Sequence, residues 1–142
     1  MKIISIINEE ILGFMNEESK VNDIVWRAGD LEMKPHSGGI WFGENKEDVE
    51  KFAMSVRNEK RIGKPYKIRI NNPKYYDKFW YGYLKDVEKY ENHDRDKLMN
   101  DLISQGYDGI IIDTDTWNDT SDDNRVTSKQ YVVFDRNNIS PA

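Results

Sequence analysis

The sequence predicts an α+β domain built on a largely antiparallel sheet, and three observations carry that reading. Residues 65–70 (PYKIRI) alternate Tyr66, Ile68 and Ile70 with Lys67 and Arg69, the period of a half-exposed strand. Residues 108–113 (DGIIID) hold three consecutive isoleucines between polar ends, the mark of a buried strand. Two stretches with apolar residues at helical spacing lie among such segments, and strands mixed with helices in this order suggest α+β.

The elements follow in chain order. Ile4, Ile7, Ile11, Leu12 and Met15 predict an amphipathic helix over residues 3–18, with a first strand over residues 1–7 as the competing reading. Residues 23–27 (DIVWR) read as a short strand ended by Ala28-Gly29-Asp30. Residues 38–43 (GGIWFG) read as a second. A helix then begins near Asn45, a cap with Asp48 three residues on, and buries Val49, Phe52, Ala53 and Val56. After the strand at 65–70, Asn71-Asn72-Pro73 breaks the chain. Residues 75–83 (YYDKFWYGY) hold six aromatics. Tyr76, Phe79, Trp80, Tyr83, Leu84 and Val87 fit one helical face, which leaves Tyr75 and Tyr81 off it. Residues 94–105 form another helix, with Leu98, Met99, Leu102 and Ile103 inward and Gly106 as its stop. Residues 128–135 (SKQYVVFD) are the last clear strand.

Composition narrows the class. The 142 residues suit one domain, and 12% aromatics argue against a disordered chain. The absence of cysteine excludes disulfides and thiolate metal sites. No apolar run approaches the length that spans a bilayer, so no membrane partner is expected. Asn8, Glu9 and Glu10 directly follow the first apolar patch, unlike a signal peptide, and a cytoplasmic protein is expected. The net charge of -5 is the wrong sign for a general duplex-DNA binder. Arg57, Lys60, Arg61, Lys64, Lys67 and Arg69 form a basic stretch that reads as a solvated face or as phosphate contacts. With Tyr75 and Tyr81 as stacking platforms, that stretch keeps nucleic acid as a minor partner class.

No cluster announces a mechanism on its own. His36 and His93 stand in no zinc or serine–histidine motif, and no glycine pattern cradles phosphate. Residues 113–124 (DTDTWNDTSDDN) carry five aspartates, but Asn118 and Asn124 occupy the places where a calcium loop needs glycine and glutamate. No metal site is read from the sequence.

Five short segments, in order, carry a resemblance. They are Val25-Trp26-Arg27-Ala28-Gly29, Gly38-Gly39-Ile40-Trp41-Phe42, the helix ending Lys51-Phe52-Ala53, Gly106-Tyr107-Asp108-Gly109-Ile110-Ile111, and Gln130-Tyr131-Val132-Val133-Phe134-Asp135 with Asn138-Ile139 after it. Over about residues 23 to 140 the chain resembles the compact ADP-ribosyltransferase domains of polyvalent proteins in phages and other mobile elements. The resemblance implies a split, mostly antiparallel sheet with flanking helices and an NAD cleft between its halves. It implies mono-ADP-ribosyl transfer from NAD, as co-substrate, to a host or defence protein.

The chemistry of NAD assigns the residues. A pyrophosphate needs a fixed cation, and Arg27, followed by Ala28 and the turn glycine Gly29, supplies a planar fork. Nicotinamide is a flat aromatic cation, and Trp41, Phe42 and Phe52 are candidate walls. Gly43 stands where relatives often carry a serine or threonine. Transfer passes through an oxocarbenium-like state, which the family steadies with a glutamate one place before the residue matching Tyr131. That place is Gln130, whose amide can accept a ribose hydroxyl but carries no charge. Asp113 or Asp115 is the candidate for the missing carboxylate. Residues 115–127 fall where these transferases select a target, and an acidic loop suits a basic surface. The alternative is a catalytically weak or inactive protein of the same fold that inhibits a partner by binding.

Overall fold

The computed structural model describes residues 19–58, 60–114 and 128–142. The helix or strand read near the N-terminus, Asp115 and the acidic loop 115–127 lie outside the described residues, as do the side chains of Val56 and Arg57.

Among the described residues, seven strands form one sheet. They are β1 (Val25–Arg27), β2 (Ile40–Gly43), β3 (Lys64–Ile68), β4 (Pro73–Lys78), β5 (Gly109–Thr114), β6 (Gln130–Val133) and β7 (Ile139–Pro141), in the spatial order β4-β5-β6-β2-β1-β3-β7. Every neighbouring pair is antiparallel except β4–β5. The strands make a continuous ladder, so the separation implied by the resemblance is not seen as two sheets. The narrowest junction is β1–β2, where Trp26 opposite Gly43 is the one paired position.

Helix α1 (Lys46–Arg57) starts as its sequence dictates. Asn45 is extended and accepts the Asp48 amide at 3.0 Å, and Glu47 and Asp48 oppose the positive end of the helix. Asn58 ends it in the left-handed region at φ 53°. Helix α2 (Leu84–Val87) is short, and α3 (Arg95–Ser104) is capped by Asp94, with Gly106 at φ 96° past its end.

The aromatic segment departs from the expected single helix. Residues 73–78 are strand β4, and residues 79–83 make a π-helical turn that runs into α2. Parallel pairing with the buried strand β5 outweighs local helical spacing, and aromatics suit strands as well as helices. Tyr76, Phe79, Tyr83 and Val87 are nonetheless buried as read, whereas Trp80 is exposed. Tyr75 and Tyr81 are 60% and 75% exposed.

Alternation along the strands divides the core between two faces. On one, Ile110, Ile112 and Val132 pack with Phe79, Tyr83, Leu98 and Leu102 of the helical layer. On the other, Val25, Ile40, Phe42, Ile68, Ile111, Tyr131 and Val133 form a second cluster. Strand β5 is therefore apolar on both sides, which accounts for its unbroken isoleucines. Trp26, Ala28 and Phe52 join Val49 in a small third cluster under α1.

Candidate functional site

The candidate site starts from register. Gln130 of β6 faces Gly43 of β2, and Gly43 faces Trp26 of β1, so the three form a row across three strands. Residues aligned in this way share a face. Trp41, two residues before Gly43, is on that face and packs with the helical layer. Phe52 reaches it from α1 beside Trp26. Gly43 places no side chain between the amide and Trp26. The row thus puts Gln130 and Trp26 on one face, with Trp41 two residues along β2 from the glycine between them.

Gln130 is held from behind. The Glu44 amide donates to the Lys129 carbonyl at 3.0 Å, and the Lys129 amide donates to Glu44 Oε2 at 3.0 Å. Ser128 Oγ donates to Asp48 Oδ2, which ties the entry of β6 to the first turn of α1. Gln130 itself is only 5% exposed, and its Nε2 has no hydrogen-bond partner among the described residues. A buried amide donor left without an acceptor costs about 1–3 kcal/mol, so the position is tolerated rather than favoured by folding.

Arg27 follows Trp26, and strand alternation sends its side chain off the opposite face. Its guanidinium turns back to the strand junction, where Nη1 donates to the Trp41 carbonyl at 2.8 Å and Nε donates to the Asp30 carbonyl. Arg27 thereby bridges β1 and β2 beyond their one paired position. The Glu32 amide that Asp30 accepts holds its carboxyl below the usual range, with smaller help from Lys34, Arg27 and Arg61. Gly29 stands close enough to Arg61 that a Cβ there would come within 3.0 Å of the guanidinium.

Other expected residues fall elsewhere. Phe42 is not a wall of this face. It is a buried core residue on the opposite side, edge-on to Tyr66 at 5.7 Å, because it neighbours Trp41 and Gly43 along the strand. Asp113 is exposed and pairs with Lys129 at 3.5 Å. It follows Ile112, which faces Gln130, so it projects from the Tyr131 side. Burial, then the charges of Glu44, Asp23 and Asp113, push the Tyr131 hydroxyl up to about 12. By register Gln130 shares a sheet face with Trp26 and Trp41, whereas Arg27, Phe42 and Asp113 start from the opposite face.

Trp26 was missed from sequence, although alternation along VWR places Trp26 and Arg27 on opposite faces. The pairing of Gln130 with Gly43 spans distant segments, and no local signal reveals it. Trp41 is locked in place: its Nε1 donates to the Ser37 carbonyl at 2.8 Å, and its ring meets Tyr83 edge-on at 5.2 Å. Among the described residues, no helix is long and apolar enough to cross a membrane. The chain matches no family model, no curated protein and no solved structure.

Proposed function

We propose that this chain binds NAD as an ADP-ribosyltransferase-type domain and passes ADP-ribose to a protein of the host or its defences, with nicotinamide as the leaving group. The reading rests on Gln130. A buried amide nitrogen without a hydrogen-bond partner among the described residues, opposite a glycine and on the same sheet face as Trp26 and Trp41, suits a ligand that offers hydroxyl oxygens and flat rings. A ribose hydroxyl would accept from Nε2, and Trp26, Trp41 and Phe52 offer faces or edges to nicotinamide. Arg27 at the β1–β2 junction supplies the cation for pyrophosphate by exchanging a carbonyl for a phosphate oxygen.

A second reading, binding without turnover, is favoured by one observation. Gln130 carries no charge and Asp113 projects from the other face, so neither supplies a negative charge to an oxocarbenium-like state. In that reading the protein inhibits its partner by occupying it.

Two measurements separate the readings. Calorimetry with NAD tests the site, and intact mass of candidate target proteins incubated with NAD tests transfer. Binding with a mass gain of one ADP-ribose supports the transferase. Binding without a mass gain supports the inhibitor. No heat at millimolar NAD ends the transferase reading and favours the inhibitor, which needs no NAD to occupy its partner.

A further inference from the structure

The loop between β1 and β2 meets the start of α3, where three side chains able to ligate a metal come together. His36, Asp94 and Asp96 each offer a donor atom, and the three atoms lie within 4.8 Å of one another. Asp96 accepts the His36 amide at 2.7 Å and the Gly38 amide at 2.9 Å, which fixes the loop on the helix. Asp94 caps α3 with Oδ1 alone, receiving the Asp96 and Lys97 amides. Its other oxygen and the His36 ring make no hydrogen bond among the described residues.

Charge and burial add independent observations. Neither aspartate forms an ion pair among the described residues. Arg95 lies between them in sequence, and its guanidinium sits over the rings of Trp41 and Tyr83, at 5.7 and 5.8 Å. Tyr83 is 1% exposed, and its hydroxyl has no partner among the described residues. That hydroxyl ends against Gly38, within 3.1 Å of where a Cβ would stand. The Gly38 amide in turn binds Asp96, so an unsatisfied buried donor stands against the same loop glycine that holds the carboxylate.

We infer that His36, Asp94 and Asp96 bind a divalent transition metal of the zinc class, with water completing the shell and Tyr83 as a buried donor beside it. One imidazole and two carboxylates, with no thiolate, match the ligands such ions take. Donor atoms about 2.1 Å from a tetrahedral ion stand about 3.4 Å apart, so the three draw together from within 4.8 Å when the ion binds. The ion neutralises two adjacent carboxylates and pins the β1–β2 loop to α3. The inference is independent of NAD binding, because none of the three ligands belongs to the row of Trp26, Gly43 and Gln130.

The full chain, stripped with a chelator, is titrated with Zn2+ by calorimetry and with Co2+ by visible absorption. One ion per chain is expected, together with a Co2+ absorption band. His36→Ala, on an exposed loop, and Asp94→Asn, which keeps the cap, are each expected to weaken binding about 10-fold or more. Tyr83→Phe is expected to weaken it less, with the ion count unchanged. Circular dichroism of each variant checks that the fold is kept. Absence of saturable Zn2+ binding, or unchanged affinity in His36→Ala, would overturn the inference. Mg2+ binding as tight as Zn2+ would also do so, because an oxygen-only site needs no imidazole.

Discussion

Gln130 on β6 faces Gly43 on β2, and the amide nitrogen of Gln130 is buried there without an acceptor among the described residues. A core position of this kind is normally apolar or hydrogen-bonded. The pairing is therefore a conflict between folding and something else, and the glycine is what leaves the amide unfilled on one side.

Replacing Gln130 with methionine is expected to raise thermal stability, because an apolar side chain of similar length removes an unsatisfied donor worth about 1–3 kcal/mol. The same change is expected to abolish NAD binding. Gln130→Glu is expected to do the reverse. It lowers stability by burying a charge, and it raises nicotinamide release about 10-fold or more by placing a carboxylate near the developing cation. Thermal melts read alongside a nicotinamide-release assay check both directions. A methionine variant that keeps full NAD affinity would remove Gln130 from the site.

The two faces of β1 and β2 make a second prediction. Trp26→Ala and Phe42→Ala both delete large aromatics, yet only Trp26 lies in the Gln130 row. Phe42→Ala is expected to cost about 3–5 kcal/mol in urea unfolding, as for other buried phenylalanines, with NAD affinity of the folded fraction unchanged. Trp26→Ala is expected to cost less in stability and to weaken NAD binding about 10-fold. Equal effects on affinity would mean that the face assigned by register does not carry the ligand.

How much of this was legible in the chain depends on the range of the interaction. The α1 cap at Asn45, the stop at Gly106 and the buried DGIIID strand are local, and each sits where its residues place it. The YYDKFWYGY segment misled because Tyr76, Phe79, Tyr83 and Val87 satisfy a helical period and also a strand followed by a π-turn. Only the parallel pairing to β5 decides between them, and that pairing joins distant segments. For the site, the sequence assigns Arg27 and Gln130 to one dinucleotide, but alternation puts their Cβ atoms on opposite faces. The cluster of His36 with Asp94 and Asp96 depends on a loop clamped by two amide bonds, and no sequence spacing announces it.

Alkaline pH provides a test of packing. Tyr83 and Tyr131 are pushed up to about 12, chiefly by burial, and Tyr76 is shifted upward by burial and by its bond to Asp86 at 2.7 Å. A tyrosine whose folded pKa is raised holds its proton more tightly in the native state than in the unfolded chain. Its stabilising contribution is full below pH about 10 and is lost as pH rises towards about 12. Stability is therefore expected to fall steeply across that window. Tyr131→Phe should flatten part of the fall, because its hydroxyl no longer has to ionise beside Glu44, Asp23 and Asp113. Urea midpoints measured at several alkaline pH values check this. An unchanged slope in Tyr131→Phe would show that its environment does not resist ionisation.

Arg27 allows structural and ligand-binding roles to be separated. Its fork spans the Asp30 and Trp41 carbonyls beside the thinnest junction of the sheet, so loss of the guanidinium leaves the Trp26–Gly43 pairing to hold β1 to β2. Arg27→Ala is expected to cost about 1–2 kcal/mol for the lost charged hydrogen bonds, discounted for their partial exposure. Arg27→Lys keeps the charge but cannot hold both carbonyls in one plane, so it should lose nearly as much stability. NAD affinity distinguishes the two roles. If the cation anchors the pyrophosphate, Kd rises about 10-fold or more in Arg27→Ala and clearly less in Arg27→Lys, and the difference shrinks with added salt. If Arg27 is only a clamp between strands, both variants shift the unfolding midpoint and leave Kd where it was, and the dinucleotide must find its cation elsewhere.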